Sequence, residues 1–173
     1  MDLKSKIRTV PNFPKEGIMF RDITTLLMDI EAVRFCVDSI AENFKDVKVN
    51  KILAAESRGF IFGAMLADRL NSAFIPARKP GKLPYTTIKK EFETEYSTDA
   101  FEIHSDSIST GDNVLIIDDL LATGGTAKAM CDLVSELGAN VSGLAFLIEL
   151  SFLNGRSKLP NQKVFSLITY DEE

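Results

Sequence analysis

The stretch from Val114 to Thr126 reads VLIIDDLLATGGT and decides how the rest of the chain is interpreted. Its first four residues are apolar and mostly β-branched, which predicts a short strand over 114–117, buried on both faces of a parallel sheet. Asp118 and Asp119 follow, and we expect them at the carboxyl end of that strand. Ligands of open α/β sheets bind at this edge, so the acidic pair is the first candidate for a functional site.

A turn of small residues, 122–126, leads from the acids into a segment whose apolar residues recur at helical spacing. Such a turn presents backbone N–H groups and the hydroxyls of Thr123 and Thr126 at a helix N-terminus, which favours an anion such as phosphate. No Lys follows the glycines and GxGxxG is absent, so the turn is neither a Walker A loop nor a dinucleotide fingerprint. The glycine pair alone is equally typical of an ordinary strand-turn-helix connection beside a solvated acidic pair.

The composition is that of a globular protein, and its negative net charge gives no positive electrostatic field that would attract polyanions. The 173 residues fit one domain, which we assign to 1–173. A formal charge of −5 predicts no nucleic-acid partner and no anionic membrane surface as a partner. No apolar stretch approaches the roughly 18 residues of a membrane span, and the first ten residues lack the apolar core of a signal peptide. We therefore expect a cytoplasmic protein.

The two cysteines and the single histidine argue against a metal site, a redox pair and a Ser-His-Asp site. Cys36 and Cys131 lie within helical patterns, without a CxxC motif or a neighbouring His, so we interpret both as buried thiols. His104 is the only histidine, which excludes a metal cluster made of several His residues. A Ser-His-Asp site would depend on that one residue.

Strands and helices alternate on both sides of the central stretch, which predicts an α/β fold with a mostly parallel sheet flanked by helices. A stripe of apolar residues predicts a helix that begins after Asp29, the expected N-cap. The remaining expected elements are strands over 52–55, 73–77, 141–150 and 164–168, a helix over 60–70, and a polar connection over 153–160.

All thirteen residues of VLIIDDLLATGGT resemble the PRPP-binding signature of the type I phosphoribosyltransferases. The resemblance implies the single-domain fold of that family. It also implies that Asp118 and Asp119 hold the ribose hydroxyls of PRPP as catalytic residues. The turn would wrap the 5′-phosphate with Ala122, Thr123, Gly124, Gly125 and Thr126.

The N-terminal segment FPKEGIMFRD, residues 13–22, resembles the hood of one branch of this family, the adenine phosphoribosyltransferases. In itself the longer stretch 10–22 predicts an irregular arm packed on the core, because its two prolines, Pro11 and Pro14, exclude a regular helix. The resemblance assigns about 1–28 to the hood. It implies that Phe20 stacks on the purine and that backbone groups of Met19 and Arg21 read the base edge.

Two further segments resemble the family's pyrophosphate-binding elements. ESRGFIFG begins at Glu56 and implies roles for Ser57 and Arg58, and RKPGKLP implies roles for Lys82 and Arg78. Without the resemblance, the first segment is equally typical of a surface Arg beside a turn glycine. The second, without the resemblance, is more typical of a solvated charge run.

Residues of about 84–104 alternate around a polar tip, which predicts a flexible hairpin-like flap. EYSTDAFEI resembles the catalytic loop EYGxDxLEI of the family, in which the Glu, here Glu95, approaches the purine. Ser97 stands in place of the family's Gly and Phe101 in place of its Leu. Without the resemblance, Glu95 is a solvated acid on a loop tip.

Together these resemblances imply that adenine and PRPP react to give AMP and pyrophosphate. They imply Mg²⁺ held mainly by PRPP and water, with no cage of protein ligands, and a homodimer. Three alternatives stay open: specificity for hypoxanthine, guanine or xanthine; a PRPP-sensing regulator without catalysis; and a PRPP synthetase-like enzyme, for whose two domains the chain is short.

Overall fold

The computed structural model describes residues 1–93 and 98–172 and is built around a central parallel sheet. In chain order the elements are β1 (Arg8–Pro11), β2 (Met19–Asp22), α1 (Thr24–Leu27), α2 (Ile30–Asn43), β3 (Lys51–Ala55), α3 (Gly59–Arg69), β4 (Ala73–Ala77), β5 (Thr87–Glu93), β6 (Thr98–His104), β7 (Asn113–Leu121), α4 (Gly125–Glu136), β8 (Asn140–Leu150) and β9 (Val164–Tyr170). Short 3₁₀ turns occupy Lys4–Lys6, Ser151–Leu153 and Gly155–Lys158.

The central sheet has the strand order β4-β3-β7-β8-β9, and every neighbouring pair is parallel. Side chains of β7 alternate between the two faces: Val114 and Ile116 pack into one apolar core, and Leu115 and Ile117 pack into the other. This confirms the prediction of a strand buried on both faces in a mostly parallel sheet flanked by helices. The carboxyl ends of the strands form one edge of the sheet.

The predicted end of the central strand is wrong. The strand continues beyond Ile117 to Leu121, so Asp118 and Asp119 lie within β7 rather than after it. The physical reason is the neighbouring strand β8, which is long enough to pair with β7 as far as Leu121 and Glu149. The two acids therefore have backbones fixed by a sheet rather than by a turn.

The helices cover both faces of the sheet. Residues of α2 and α3 form one core together with the N-terminal segment, and α4 packs into the second core together with residues of β6. The carboxylate of Asp29 accepts hydrogen bonds from the amides of Glu31 and Ala32, which confirms Asp29 as the N-cap of α2. The predicted helix over 60–70 is α3.

The N-terminal segment is more regular than expected. β1 and β2 form a two-stranded antiparallel sheet that pairs Val10 with Phe20, where the sequence predicted an irregular arm. Gly17 makes the return possible because its φ of +87° suits glycine. Its N–H donates to the side chain of Asn12. The hood residues Met19, Phe20 and Arg21 are therefore held by a strand pair.

Cys36 and Cys131 are buried and free, as predicted. Burial raises the pKa of the Cys36 thiol to about 12. Burial, followed by the charge of Asp132, raises the pKa of Cys131 to about 11. None of the helices within 1–93 and 98–172 is long and apolar enough to cross a membrane.

Candidate active site

The carboxyl ends of β3 and β7 and the turn after β7 enclose a cavity of about 340 Å³. Its position follows from the sheet, because neighbouring parallel strands end at the same edge and their connections diverge there. α4 begins at the rim with Gly125. The cavity is lined by Glu56, Ser57, Arg58, Lys79, Phe101, residues 118–127 and Phe146.

The acidic pair at the floor of the cavity has a fixed arrangement. Asp119 is only 5% exposed, and its carboxylate accepts a short hydrogen bond from Nε of Arg58. The N–H of Asp119 donates to Oδ1 of Asp118 at 2.8 Å. Burial, and after it the charge of Asp119, raises the pKa of Asp118 well above its usual range. The pair therefore combines a carboxylate that is ion-paired with Arg58 and one whose ionisation is opposed by burial and by its neighbour.

Gly59 brings the start of α3 against this pair. A Cβ on Gly59 would lie 3.0 Å from Oδ1 of Asp118 and 3.1 Å from the carbonyl oxygen of Ile117. Those distances leave little room for a side chain. The glycine after Arg58 thus allows the start of α3 to lie directly against β7 and the acidic pair.

The turn 122–126 has the geometry expected of an anion site. Gly124 is the N-cap of α4 with a left-handed φ of +79°, and Gly125 begins the helix. The first N–H groups of a helix have no partner within the helix, and the peptide dipoles favour negative charge there. Thr123 and Thr126 line the cavity beside these amides. The sequence-predicted phosphate loop and the acids therefore share one cavity.

The basic turn after β4 is fastened to the end of β3 by Glu56. Its carboxylate accepts hydrogen bonds from Nζ of Lys82 at 2.8 Å, from Nη2 of Arg78 at 3.2 Å and from the N–H of Lys79 at 2.9 Å. Burial alone would raise the pKa of Glu56, but the bonds from Lys82 and Arg78 and from the Lys79 amide lower it to about 2. Glu56 is therefore ionised and sets the position of the turn.

Lys79, rather than Arg78 or Lys82, is the cation of this turn that lines the cavity. Its Nζ forms an ion pair with Asp99 of β6 and lies 4.9 Å from the ring centroid of Phe101. Burial alone would raise the pKa of Asp99, but the hydrogen bond from Lys79 outweighs burial, and the pKa is lowered. The family resemblance implies Lys82 and Arg78, and the sequence does not single out either Lys79 or Glu56. The only signal for Lys79 was its place among three cations in five residues.

The hood is joined to the cavity through Arg58. The guanidinium carbon of Arg58 lies 5.4 Å from the ring centroid of Phe20, while its Nε bonds Asp119. The Phe20 ring also contacts Phe13 edge-on at 5.1 Å between centroids. Arg58 thus contacts both the hood ring and the acidic pair.

The side chain of Arg21 is directed elsewhere. It stacks on Tyr170, with 4.1 Å between the guanidinium carbon and the ring centroid, and Nη1 donates to Thr9 at 2.6 Å. The part of Arg21 that stays a candidate for reading a base edge is therefore its backbone. Glu95 and Ser97 lie outside the described residues, so the proposed catalytic Glu has no position here.

The acidic side chains at the cavity suit a Mg²⁺ ion that arrives with its substrate. In the described part of the chain, no group of three or more His, Cys, Asp or Glu side chains could hold a metal ion. The carboxylates of Asp118 and Asp119 at the cavity supply the oxygen donors that Mg²⁺ prefers. This set fits an ion that takes most of its ligands from substrate oxygens and water.

Comparisons with known proteins agree with this geometry. Residues 25–171 match the family model described as "Phosphoribosyl transferase domain". The chain is 55% identical over 172 residues to an adenine phosphoribosyltransferase of Crocosphaera subtropica, covering 98% of this chain and 100% of that protein. The crystal structure of an adenine phosphoribosyltransferase from Thermoanaerobacter pseudethanolicus superposes with a TM-score of 0.95 at 48% identity, covering 98% of each chain. A Saccharomyces cerevisiae enzyme of the same name, in complex with adenine and an imino-altritol bisphosphate, gives a TM-score of 0.90 at 44% identity over 96% of each chain.

Proposed function

The chain belongs to the phosphoribosyltransferase family, among the adenine phosphoribosyltransferases, and from this premise we propose how its own residues carry out the reaction of adenine with PRPP. The reaction breaks the bond between C1 of the ribose and the pyrophosphate oxygen. It forms a bond from the same carbon to a purine nitrogen, which loses its proton, and the products are AMP and pyrophosphate. The observation that carries the proposal is the cavity shared by the acidic pair and the loop 122–126.

The acidic pair is assigned to the ribose. Displacement at an anomeric carbon passes through a state with oxocarbenium character, as in glycosyl transfer generally. Asp118 and Asp119 are held at the cavity floor by a strand and by Arg58. They can accept hydrogen bonds from ribose hydroxyls and place negative charge near the developing positive charge.

The loop 122–126 is assigned to the 5′-phosphate. Backbone N–H groups at the start of α4 and the hydroxyls of Thr123 and Thr126 supply donors without a formal positive charge. Each hydrogen bond to a charged group is worth about 1.5–3 kcal/mol. Such donors fix one end of PRPP while its other end reacts.

The basic turn and the end of β3 are assigned to the departing pyrophosphate, with Ser57, Arg58 and Lys79 at the cavity and Arg78 and Lys82 next to it on Glu56. Cations at this end stabilise the charge that the leaving group gains. Mg²⁺, when bound with PRPP near Asp118 and Asp119, would supply additional charge neutralisation of the pyrophosphate.

The hood is assigned to the base. Phe20 offers an aromatic face beside Arg58, and the strand β2 holds the backbone of Met19 and Arg21 next to that face. A fixed backbone donor and acceptor can distinguish the exocyclic amine of adenine from the carbonyl of hypoxanthine, because the wrong base leaves buried groups unpaired. Glu95 is assigned as the base that takes the purine proton.

The setting of the enzyme is part of the proposal. We assign the enzyme to purine salvage in the cytoplasm, because it would make AMP from adenine and has a net charge of −5. One domain, residues 1–173, would carry out the reaction. A homodimer is supported by the apolar side chains exposed beside the edge strand of the sheet, with Ile61 of α3 40% exposed and Phe74 of β4 36% exposed. Such side chains favour burial against a second copy.

A base panel tests the proposal. The protein is incubated with PRPP, Mg²⁺ and adenine, hypoxanthine, guanine or xanthine, and release of pyrophosphate is followed. We expect adenine to be used at least about a thousandfold better than the others, in line with rejection of a base that leaves buried groups unpaired. Comparable use of hypoxanthine would instead favour the alternative specificity, and PRPP binding without turnover on any base would favour a regulator.

Thr126→Ala tests the phosphate loop in the same assay. Loss of one hydrogen bond to a charged group should weaken AMP and PRPP by about tenfold or more. Thr110→Ala, at an exposed position before the start of β7, is the control and should bind AMP as the wild type does. Equal AMP affinity of Thr126→Ala and wild type would remove the phosphate assignment.

A further inference from the structure

The connection between β8 and β9 contacts the backbone of the phosphate loop, residues 122–126. A Cβ on Gly155 would lie 2.1 Å from the carbonyl oxygen of Ala122, and a Cβ on Gly124 would lie 2.3 Å from the carbonyl oxygen of Gly155. Real Cβ atoms do not approach other atoms this closely. The two backbones are therefore in direct contact, and both positions require glycine.

The same connection is anchored by one ion pair, in which the carboxylate of Glu149 is buried and the side chain of Arg156 is 48% exposed. Arg156 donates two parallel hydrogen bonds to Glu149, from Nε to Oε1 and from Nη2 to Oε2, each 2.6 Å long. Glu149 is only 5% exposed, and the bond from Arg156 is the largest influence that lowers its pKa. Nη1 of Arg156 donates to the carbonyl of Val164, and Nη2 reaches the hydroxyl of Ser166 at 3.4 Å. Arg156 thus ties its segment to both β8 and β9.

The anchor is next to the start of the loop. Glu149 pairs across β7 and β8 with Leu121, and Leu121 directly precedes the loop residue Ala122. Gly155 directly precedes Arg156 in the chain. A two-point bond at Glu149 therefore fixes the backbone that presses against Ala122 and Gly124.

We propose that Gly155, Arg156 and Glu149 form a positioning brace for the phosphate loop, which holds its N–H groups at the spacing that a 5′-phosphate requires. The proposal rests on the assignment of 122–126 to that phosphate. The brace residues touch the loop from outside the cavity and act through it, so they are positioning residues rather than catalytic ones. An error of about 1 Å in such a site is enough to reduce activity strongly.

The test compares AMP with adenosine, which differ only in the 5′-phosphate. For Arg156→Lys, which keeps the charge but loses the paired bonds, we expect AMP to bind about tenfold more weakly and adenosine to bind as to the wild type. Glu149→Gln should behave in the same way. Gly155→Ala should show a larger loss, and Arg156→Lys keeps the test decisive if the alanine variant does not fold. Thermal unfolding and circular dichroism establish that each tested variant is folded.

Two controls separate the brace from general destabilisation and from the proposed function. Gly138→Ala changes another positive-φ glycine, at the far end of α4, and should lower stability without changing the ratio of AMP to adenosine affinity. If Arg156→Lys and Glu149→Gln keep the wild-type ratio while Thr126→Ala loses it, the brace is overturned and the phosphate assignment stands. If the wild type itself binds AMP no better than adenosine, the phosphate assignment fails, and the brace fails with it.

Discussion

Replacement of Glu56 by Gln should destabilise the protein through the basic turn. Glu56 accepts from two cationic side chains and one amide, and these bonds lower its pKa from 4.5 to about 2 although burial opposes them. At about 1.36 kcal/mol per pKa unit, the difference corresponds to about 3 kcal/mol. Nζ of Lys82 belongs to a side chain that is 49% exposed, so solvent screens part of this energy. We expect Glu56→Gln to lower the free energy of unfolding by about 1–2 kcal/mol at pH 7.

The pH dependence gives this prediction its sign. A carboxyl whose pKa is lower in the folded than in the unfolded state contributes stability above the unfolded value, and the contribution is lost as pH falls through the folded value. The difference between wild type and Glu56→Gln should therefore be constant from pH 7 to about 5 and shrink below 4.5 towards pH 2. Urea unfolding at constant protein concentration measures it.

A matched control and a clear contrary result complete the experiment. Glu42 pairs with Lys45, and their side chains are 69% and 57% exposed, so Glu42→Gln should change stability by less than about 0.5 kcal/mol. Equal stability of Glu56→Gln and wild type at pH 7 would refute the argument. So would a difference that stays the same from pH 7 to pH 3, because the carboxylate charge would then not be its source.

Three further predictions concern the acidic pair, the thiols and the flap. Burial and the charge of Asp119 raise the pKa of Asp118, so ionisation of this side chain makes the folded state less stable as pH rises. Asp118→Asn should therefore unfold at a higher temperature than the wild type at pH 8, and it should turn over more slowly. Cys36 and Cys131, with pKa values of about 12 and 11, should react with a thiol reagent at pH 8 only after the protein is unfolded in urea. Glu95→Gln should slow single-turnover chemistry by about 10²–10⁴ with little change in PRPP affinity, and an unchanged rate would remove its role as a base.

The parts of the fold that local patterns determine were predictable from sequence. The apolar run 114–117 and the cap Asp29 need only neighbouring residues, and both occur as predicted. The extension of β7 to Leu121 depends on pairing with β8, which lies more than twenty residues further along the chain. Pairing between strands that are distant in the chain does not change the local residue pattern, so the sequence predicts the end of β7 four residues too early.

The site shows the same division between local and distant information. The loop 122–126 is contiguous in the sequence, so its run of small residues was enough to predict it. The choice among cations of the basic turn depends on which one meets the cavity, and this is set by Glu56 on one strand and Asp99 on another. The contact between Gly155 and the loop joins residues about thirty positions apart. In sequence, 153–160 is a polar connection, and only the folded chain shows what it touches.

The charges at the cavity explain how a protein of net charge −5 can be suited to a highly anionic substrate. Each cation at this edge of the sheet is held by a carboxylate from a different segment, and the pairs are Arg58 with Asp119, Arg78 and Lys82 with Glu56, and Lys79 with Asp99. A paired cation contributes little to the field far from the protein, but its position is fixed before any ligand arrives. The 5′-phosphate is assigned to amides and hydroxyls, which carry no net charge at all. Recognition at this site therefore depends on where donors are held rather than on total charge, because the acids that cancel the cations also place them.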